Sequence, residues 1–319
     1  MHPRLITLRA MWVTMRPYLL FVSGITGIAG MALSPTTSAF PIISVFIASF
    51  FAYGFGQALT DCFQTDTDAI SAPFRPLVAG KVSRKAILGL SLAGLACCVI
   101  ILALRNPWNL AVGITSAAGL ATYTTFKRRW WGGPWYNAWI VTALCVMGFL
   151  GASGKTPIAF PAPFLPMLAA VFFGYANFVL SGYFKDIDAD AATGYFTFPV
   201  TFGRKAAAIA SDVLALLFLA SSTWAAITVL GSQQVEPGQL SALLFAVPGV
   251  AYLVIAQIQL HRNRTDIEAY APILRVVNAY ILLLSALSTL LRPDWTLFLF
   301  VHYTLYVFVL SRRPEVSQI

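Results

Sequence analysis

The sequence predicts an all-α, polytopic transmembrane bundle of nine to ten helices. Its 319 residues are 58% hydrophobic and only 10% charged, whereas about 25% of the residues in an average soluble domain are charged. The mean hydropathy is +0.76, and the apolar residues form long runs rather than the short alternating segments of a β-barrel. This composition excludes a soluble globular enzyme, an intrinsically disordered chain and a disulfide scaffold.

Ten apolar runs are candidates for membrane-spanning helices, because a span needs about 20 predominantly apolar residues. In chain order they cover residues 17–35, 40–60, 86–104, 109–126, 136–153, 161–183, 207–230, 240–260, 272–291 and 295–311. Only the short segment Arg292-Pro293-Asp294 separates the last two runs. Nine spans followed by a hairpin tail is therefore the alternative count.

The distribution of basic residues predicts the orientation in the membrane, since cytoplasmic loops are enriched in Lys and Arg. With the N-terminus in the cytoplasm, 18 of the 21 Lys and Arg residues lie on that side, and only Arg105, Lys155 and Arg292 lie opposite. The two long loops, 61–85 and 184–206, are then cytoplasmic too. The same rule accounts for the net charge of +9, so we expect no nucleic-acid partner.

Two acidic clusters follow the second and the sixth apolar runs. They hold six of the 12 acidic residues: Asp61, Asp66, Asp68, Asp186, Asp188 and Asp190. Gathered carboxylates repel one another unless a cation lies between them, and Mg²⁺ prefers oxygen ligands from carboxylates and phosphates. None of the three histidines has a partner at metal-ligand spacing, which disfavours a zinc site. Ordinary solvated loop charge is the alternative interpretation.

Basic residues on the same predicted side are suited to neutralising a diphosphate together with Mg²⁺, because Arg and Lys bind phosphate oxygens well. They are Arg75, Lys81, Lys127, Lys185 and Arg204. The cytoplasmic enrichment of positive charge would also place them there, so this pattern by itself leaves both interpretations open.

A faint internal repeat accompanies the clusters. A gap-free shift of 120 residues places Asp66 on Asp186 and Asp68 on Asp188. It predicts two pseudo-repeated four-helix units around a central cavity, with half-repeats at about 17–130 and 136–260 inside a single domain over 1–319. Because this register sets Asp68 on Asp188 and not on Asp190, it need not be the functional one.

These motifs resemble those of the UbiA-type superfamily of membrane prenyltransferases. The segment 60–83 is similar to the family's first motif, Asn-Asp-x-x-Asp-x-x-x-Asp followed by Arg-Pro-Leu, and is most like the chlorophyll-synthase branch. The segment 183–203 is similar to the second motif, Lys-Asp-x-x-x-Asp with a downstream Pro-Val-x-x-Gly. Between them, Tyr123 and Lys127 resemble the Tyr-x-x-x-Lys at the end of the fourth helix.

The resemblance implies that a prenyl group passes from a polyprenyl diphosphate donor to an aromatic or other lipophilic acceptor with the help of Mg²⁺. It implies catalytic roles for Asp68, Asp186 and Asp190, and metal ligation by these three residues and Asp61. The substrate-binding residues that it implies are Thr60, Gln64, Arg75, Tyr123, Lys127 and Lys185.

Two departures from the family pattern leave alternatives open. The family usually has Asn at the place of Thr60 and Asp at the place of Gln64, so we expect one ligand of the first Mg²⁺ to be weaker. A terpene cyclase of the same superfamily, which would quench the cation internally, is one alternative. A non-catalytic scaffold is the other.

Overall fold

The computed structural model describes residues 3–36, 38–155, 159–231 and 236–313. Its α-helices are α1 (Pro3–Thr14), α2 (Leu20–Ala32), α3 (Ala39–Asp61), α4 (Thr65–Ser71), α5 (Arg84–Arg105), α6 (Trp108–Lys127), α7 (Gly133–Ser153), α8 (Phe164–Gly182), α9 (Ile187–Ala192), α10 (Phe198–Leu230), α11 (Leu243–Arg262), α12 (Tyr270–Leu291) and α13 (Thr296–Ser311). Short 3-10 turns precede or extend five of them, at Pro17–Leu19, Tyr183–Lys185, Pro237–Ala242, Ile267–Ala269 and Pro293–Trp295.

Each of the ten predicted spans coincides with a helix. Across the described ranges, eight helical segments are long and apolar enough to cross a membrane; Pro17–Ala32 is a shorter apolar helix, and α6 is not among the eight. The predicted span 207–230 is longer in the structure, because α10 begins at Phe198 and continues across non-helical backbone at Gly203 (φ 81°). The fold is thus an all-helical, multi-pass membrane bundle, and its sidedness stays a prediction.

Close helix contacts at the centre of the bundle depend on glycine. A Cβ atom added at Gly148 of α7 would lie 2.6 Å from the carbonyl oxygen of Gly27 in α2, and one added at Gly30 would collide with the backbone of Cys145. Small residues let transmembrane helices approach until their backbones touch. α12 packs against α2 and α8 and is buried continuously over residues 276–289.

The short helices α4 and α9 carry the two acidic motifs. Gln64 precedes α4 with φ −121° and ψ 23°, and Asp186 precedes α9 with φ −118° and ψ 13°. In each, the backbone N–H four residues later bonds back, from Asp68 to Gln64 (3.0 Å) and from Asp190 to Asp186 (2.7 Å). The structural register therefore sets Gln64 on Asp186 and Asp68 on Asp190, which corrects the gap-free shift.

That correction has a physical cause. The sixth long helix does not run on regularly through its motif: α8 passes into the 3-10 turn Tyr183–Lys185 and then breaks at Asp186. α3 ends at Asp61, before Gln64. A break of different length in each half changes the offset between the two motifs. The half-repeats themselves stay a prediction.

Candidate active site

A polar chamber of about 680 Å³ lies at the end of the bundle where α3 and α8 finish. Its charged lining residues are Arg16, Asp61, Asp68, Arg75, Lys127, Lys185 and Asp186. Its polar lining includes Gln57, Thr60, Gln64, Tyr123 and Asn137. Every site residue that the family resemblance implies therefore lines this chamber, except Asp190.

The first-motif side of the chamber is a network of buried ion pairs. Arg16 donates from Nη2 to both carboxylate oxygens of Asp61, at 2.9 and 3.2 Å, and Gln57 donates to Oδ1 at 2.7 Å. Arg75 pairs with Asp68, and both side chains are more than nine-tenths buried. Burial raises the pKa of Asp68, and the Arg75 guanidinium opposes that rise without cancelling it. Both first-motif carboxylates are thus held by arginines.

Lys127 lies between the two motifs. Its Nζ donates to Oε1 of Gln64 and to Oδ1 of Asp190, each at 3.2 Å. Thr197 donates to the other oxygen of Asp190, Oδ2, at 3.3 Å. The Asp190 side chain is fully buried, and burial raises its pKa to about 6 despite the neighbouring ammonium. Asp190 therefore lies behind Lys127 and positions it.

Asp186 is the second-motif carboxylate that faces the chamber. Its closest cation is Lys185, whose Nζ lies 3.4 Å from Oδ2. Burial alone would raise the pKa of Asp186, but the cations of Lys185, Lys127 and Arg75 outweigh it and hold the pKa below its usual range. Asp186 is thus ionised and open to the chamber.

Besides Asp190, four charged residues singled out in the sequence do not line the chamber. Asp66 is about two-fifths exposed and pairs with Arg128 at 3.2 Å, and Asp188 and Lys81 are exposed. Arg204 instead binds Asp266 and Asn263, which ties α10 to the connection before α12. Of the six aspartates in the two motifs, Asp61, Asp68 and Asp186 line the chamber.

An apolar cavity of about 810 Å³ joins the chamber and extends among α3, α5, α6 and α7. The two spaces share Tyr53, Gln57, Thr60, Asn137 and Tyr175. The apolar lining runs along α7 from Asn137 to Met147, a length of about 15 Å at the helical rise per residue. A ligand with an anionic head and a long apolar tail matches this combined shape.

Sequence reasoning missed three polar lining residues, Arg16, Gln57 and Asn137. Asn137 belongs to no motif, and nothing in its local sequence distinguishes it. Gln57, one turn before Asp61, is a polar residue inside an apolar run, a pattern that marks functional positions in membrane helices. Arg16 directly precedes the first predicted span and belongs to neither acidic motif. Its backbone is left-handed (φ 50°), which costs energy in a residue other than glycine and turns the chain toward Asp61.

The oxygen donors fit a metal that is shared with a substrate. Within the described ranges, no three His, Cys, Asp or Glu side chains gather closely enough to hold an ion by themselves. Mg²⁺ is usually held by one or two carboxylates, water and substrate phosphates. Asp68 and Asp186 provide carboxylates at the chamber wall, whereas Gln64 provides only a neutral amide oxygen.

The chain is similar in sequence to known synthases of two kinds. A digeranylgeranylglyceryl phosphate synthase from Thermococcus kodakarensis is 29% identical over 218 residues, 65% of this chain and 74% of the relative. The bacteriochlorophyll synthase 33 kDa chain from Cereibacter sphaeroides is 24% identical over 213 residues, covering 64% and 68% of the two chains.

Solved structures share the fold. A UbiA homologue from Aeropyrum pernix has a TM-score of 0.66 at 20% identity, covering 82% of this chain and 94% of the other. A UbiA homologue from Archaeoglobus fulgidus, bound to GPP and Mg²⁺, has a TM-score of 0.62 at 17% identity, covering 86% and 99%. The model of the UbiA prenyltransferase family matches residues 23–282. With the paired acidic motifs on adjacent short helices, this establishes that the chain belongs to the UbiA prenyltransferase family and is a membrane prenyltransferase.

Proposed function

We propose that this protein transfers a prenyl group from a polyprenyl diphosphate to an aromatic or other lipophilic acceptor, with Mg²⁺ bound beside the diphosphate. The observation that carries the proposal is the continuity of two unlike spaces. A chamber lined by four cations opens into an apolar cavity about 15 Å deep along α7. The diphosphate occupies the chamber, and the prenyl tail occupies the cavity.

The cations hold the leaving group. Arg75 offers a planar guanidinium that suits two phosphate oxygens, while Lys127 and Lys185 contribute point charges to the same chamber. Bound Mg²⁺ supplies Lewis-acid stabilisation of the departing diphosphate, and Asp68 and Asp186 would hold it. These fixed charges favour the diphosphate more as its C–O bond breaks and negative charge grows on it.

Two tyrosine rings next to the chamber stabilise the prenyl carbon on which positive charge develops. Tyr53 and Tyr175 line both spaces, at the junction where the first carbon of the prenyl group would lie. Aromatic faces attract cations, so these rings stabilise the developing allylic cation and keep water from it. An acceptor nucleophile then attacks that carbon and releases its proton.

The test is turnover by the purified full-length protein in lipid nanodiscs. Geranyl, farnesyl and geranylgeranyl diphosphates are each incubated with Mg²⁺ or EDTA, and with a phenolic acid, a quinone precursor, a tetrapyrrole carboxylate or a glyceryl phosphate lipid. We expect Mg²⁺-dependent diphosphate release that requires one acceptor and yields its prenyl adduct. A hydrocarbon or terpene alcohol without acceptor would instead indicate a cyclase, and no release with any donor would contradict the proposal.

Two variants distinguish a specific role of Arg75 in diphosphate binding from a general effect of positive charge on that side of the protein. Arg75→Ala removes a buried cation of the chamber, and Lys81→Ala removes an exposed one on the same connection. We expect Arg75→Ala to raise the donor KM at least tenfold and leave the acceptor KM nearly unchanged. Lys81→Ala serves as the control and should behave as wild type. A change confined to the acceptor KM in Arg75→Ala would refute this placement of the diphosphate.

A further inference from the structure

Gln64 and Asp186 are positional counterparts in the two motifs. Each begins a short helix with nearly the same backbone angles, and each accepts a hydrogen bond from the residue four positions later. Asp186 is an ionised carboxylate that faces the chamber, whereas Gln64 is a neutral amide. The two halves of the site are therefore unequal in their capacity to bind a divalent cation.

The amide oxygen of Gln64 already has a cationic partner. Lys127 Nζ donates to it at 3.2 Å and donates equally to Asp190 at 3.2 Å. The rings of Tyr183 and Tyr195 flank the same ammonium, with centroids at 5.5 and 5.1 Å. An ammonium has three donors, so one remains for a diphosphate oxygen. The positive charge between the two motifs at this point is therefore the Lys127 ammonium, which belongs to the protein itself.

Neighbouring carboxylates do not replace the missing charge at Gln64. Asp61 accepts two contacts from Arg16 and one from Gln57. Asp66 lies outside the chamber, where Arg128 and the Tyr195 hydroxyl bind its two oxygens. Asp68, whose Oδ1 pairs with Arg75, thus has fewer donors on its carboxylate than Asp61 and is the first-motif carboxylate better able to accept a metal ion.

We propose that this protein binds its prenyl diphosphate with a single divalent cation, held by Asp68 and Asp186, and that the Lys127 ammonium between Gln64 and Asp190 takes the place of a second. This rests on the proposed function. An ammonium carries half the charge of Mg²⁺ and cannot be chelated away, so the protein retains part of its charge compensation at low Mg²⁺. Substituting Asp at position 64 adds the negative charge that a second cation needs.

Counting bound ions tests this directly. Mn²⁺ replaces Mg²⁺ in the purified full-length protein, and geranylgeranyl S-thiolodiphosphate, whose C–S bond resists ionisation, serves as the donor analogue. Electron paramagnetic resonance then gives the number of bound ions and shows whether two ions are magnetically coupled. We expect one uncoupled Mn²⁺ per analogue in wild type. In Gln64→Asp we expect two coupled ions, and in the size-matched control Gln64→Asn one.

The outcomes decide separate points. Two coupled ions in wild type would overturn the proposal regardless of how the variants behave. A single ion in Gln64→Asp that binds the analogue normally would overturn the role given to Gln64. Failure of wild type to bind the analogue at all would contradict the proposed function itself, whereas analogue binding with the wrong ion count contradicts only this inference.

Discussion

The hydroxyl oxygens of Thr67 and Thr193 lie 3.0 Å apart and join the two short helices that carry the acidic motifs. The residues are 126 positions apart in the chain. Thr193 also donates to the carbonyl of Ala189 at 2.8 Å, so Thr67 is the donor in the bond between the helices. This contact helps to hold together the two short helices whose motifs contribute Asp68 and Asp186 to the chamber.

Breaking this contact should weaken donor binding without unfolding the bundle. A neutral hydrogen bond contributes about 1 kcal/mol, so we expect Thr67→Val to raise the donor KM about fivefold. Thr193→Val should have a similar effect, and the double variant should be no worse than either single one. Thr115→Val, on the exposed face of α6, is the control. Fully additive effects of the two substitutions would show that the threonines act independently.

Asp186 and Asp188 test the register of the second motif. They are two residues apart, but Asp186 lines the chamber and Asp188 is exposed. We expect Asp186→Asn to lower donor turnover at least a hundredfold, since it removes the chamber carboxylate that we propose binds Mg²⁺. Asp188→Asn should stay within about twofold of wild type. Equal losses in the two variants, measured as initial rates of diphosphate release, would argue against the structural register.

The pKa of Asp190 predicts opposite effects of acid on binding and on stability. Burial raises this pKa from 3.8 to about 6. Protonation below about pH 6 removes the charge that holds Lys127, so affinity for the donor analogue should fall as the pH drops through 6. Because the folded protein holds this proton more tightly than the unfolded chain, the contribution of Asp190 to stability is full below about pH 4 and is lost as the pH rises to 6.

The Asp190→Asn variant isolates the contribution of the Asp190 carboxyl group to the pH dependence of affinity and stability. The diphosphate also titrates, but its contribution persists in the variant, so the difference between wild type and Asp190→Asn belongs to Asp190. Affinity is measured by calorimetric titration of the analogue from pH 5 to 8, and stability by tryptophan fluorescence during heating. The same pH dependence in both proteins, in affinity and in unfolding temperature, would exclude Asp190 as its source.

Local sequence properties predicted the helices well. A membrane span is defined by its own length and hydropathy, so apolar runs such as 40–60 and 86–104 correspond closely to α3 and α5. The helix breaks were harder to predict, because Gln64 and Asp186 take non-helical angles through packing between distant segments. No local signal at Gln64 indicates that its partner is Lys127, 63 residues away.

The sequence predicted which residues surround the chamber better than it predicted which of them contact one another. The motifs predicted that Asp68, Arg75 and Asp186 lie near one another, and in the structure all three line the same chamber. It did not separate Asp186, which faces the chamber, from Asp190, which lies behind Lys127. That distinction depends on which face of the short helix α9 is turned toward the chamber, and α9 packs against both α4 and α10.

The apolar cavity predicts a limit on the length of the donor's prenyl tail. Ala117 lines the cavity on α6, about 15 Å along the helix from Lys127, and the adjacent Ala118 is on the exposed face. Leu at position 117 fills cavity space that only a long tail reaches, whereas Leu at 118 adds the same volume on the outside. We expect Ala117→Leu to lower kcat/KM for geranylgeranyl diphosphate at least tenfold while geranyl diphosphate stays within about twofold, and Ala118→Leu to change neither. The measurement is competition between the two donors in one reaction, resolved by product mass. If Ala117→Leu slows both donors equally, the tail does not pass Ala117, and the cavity that we assign to it holds something else.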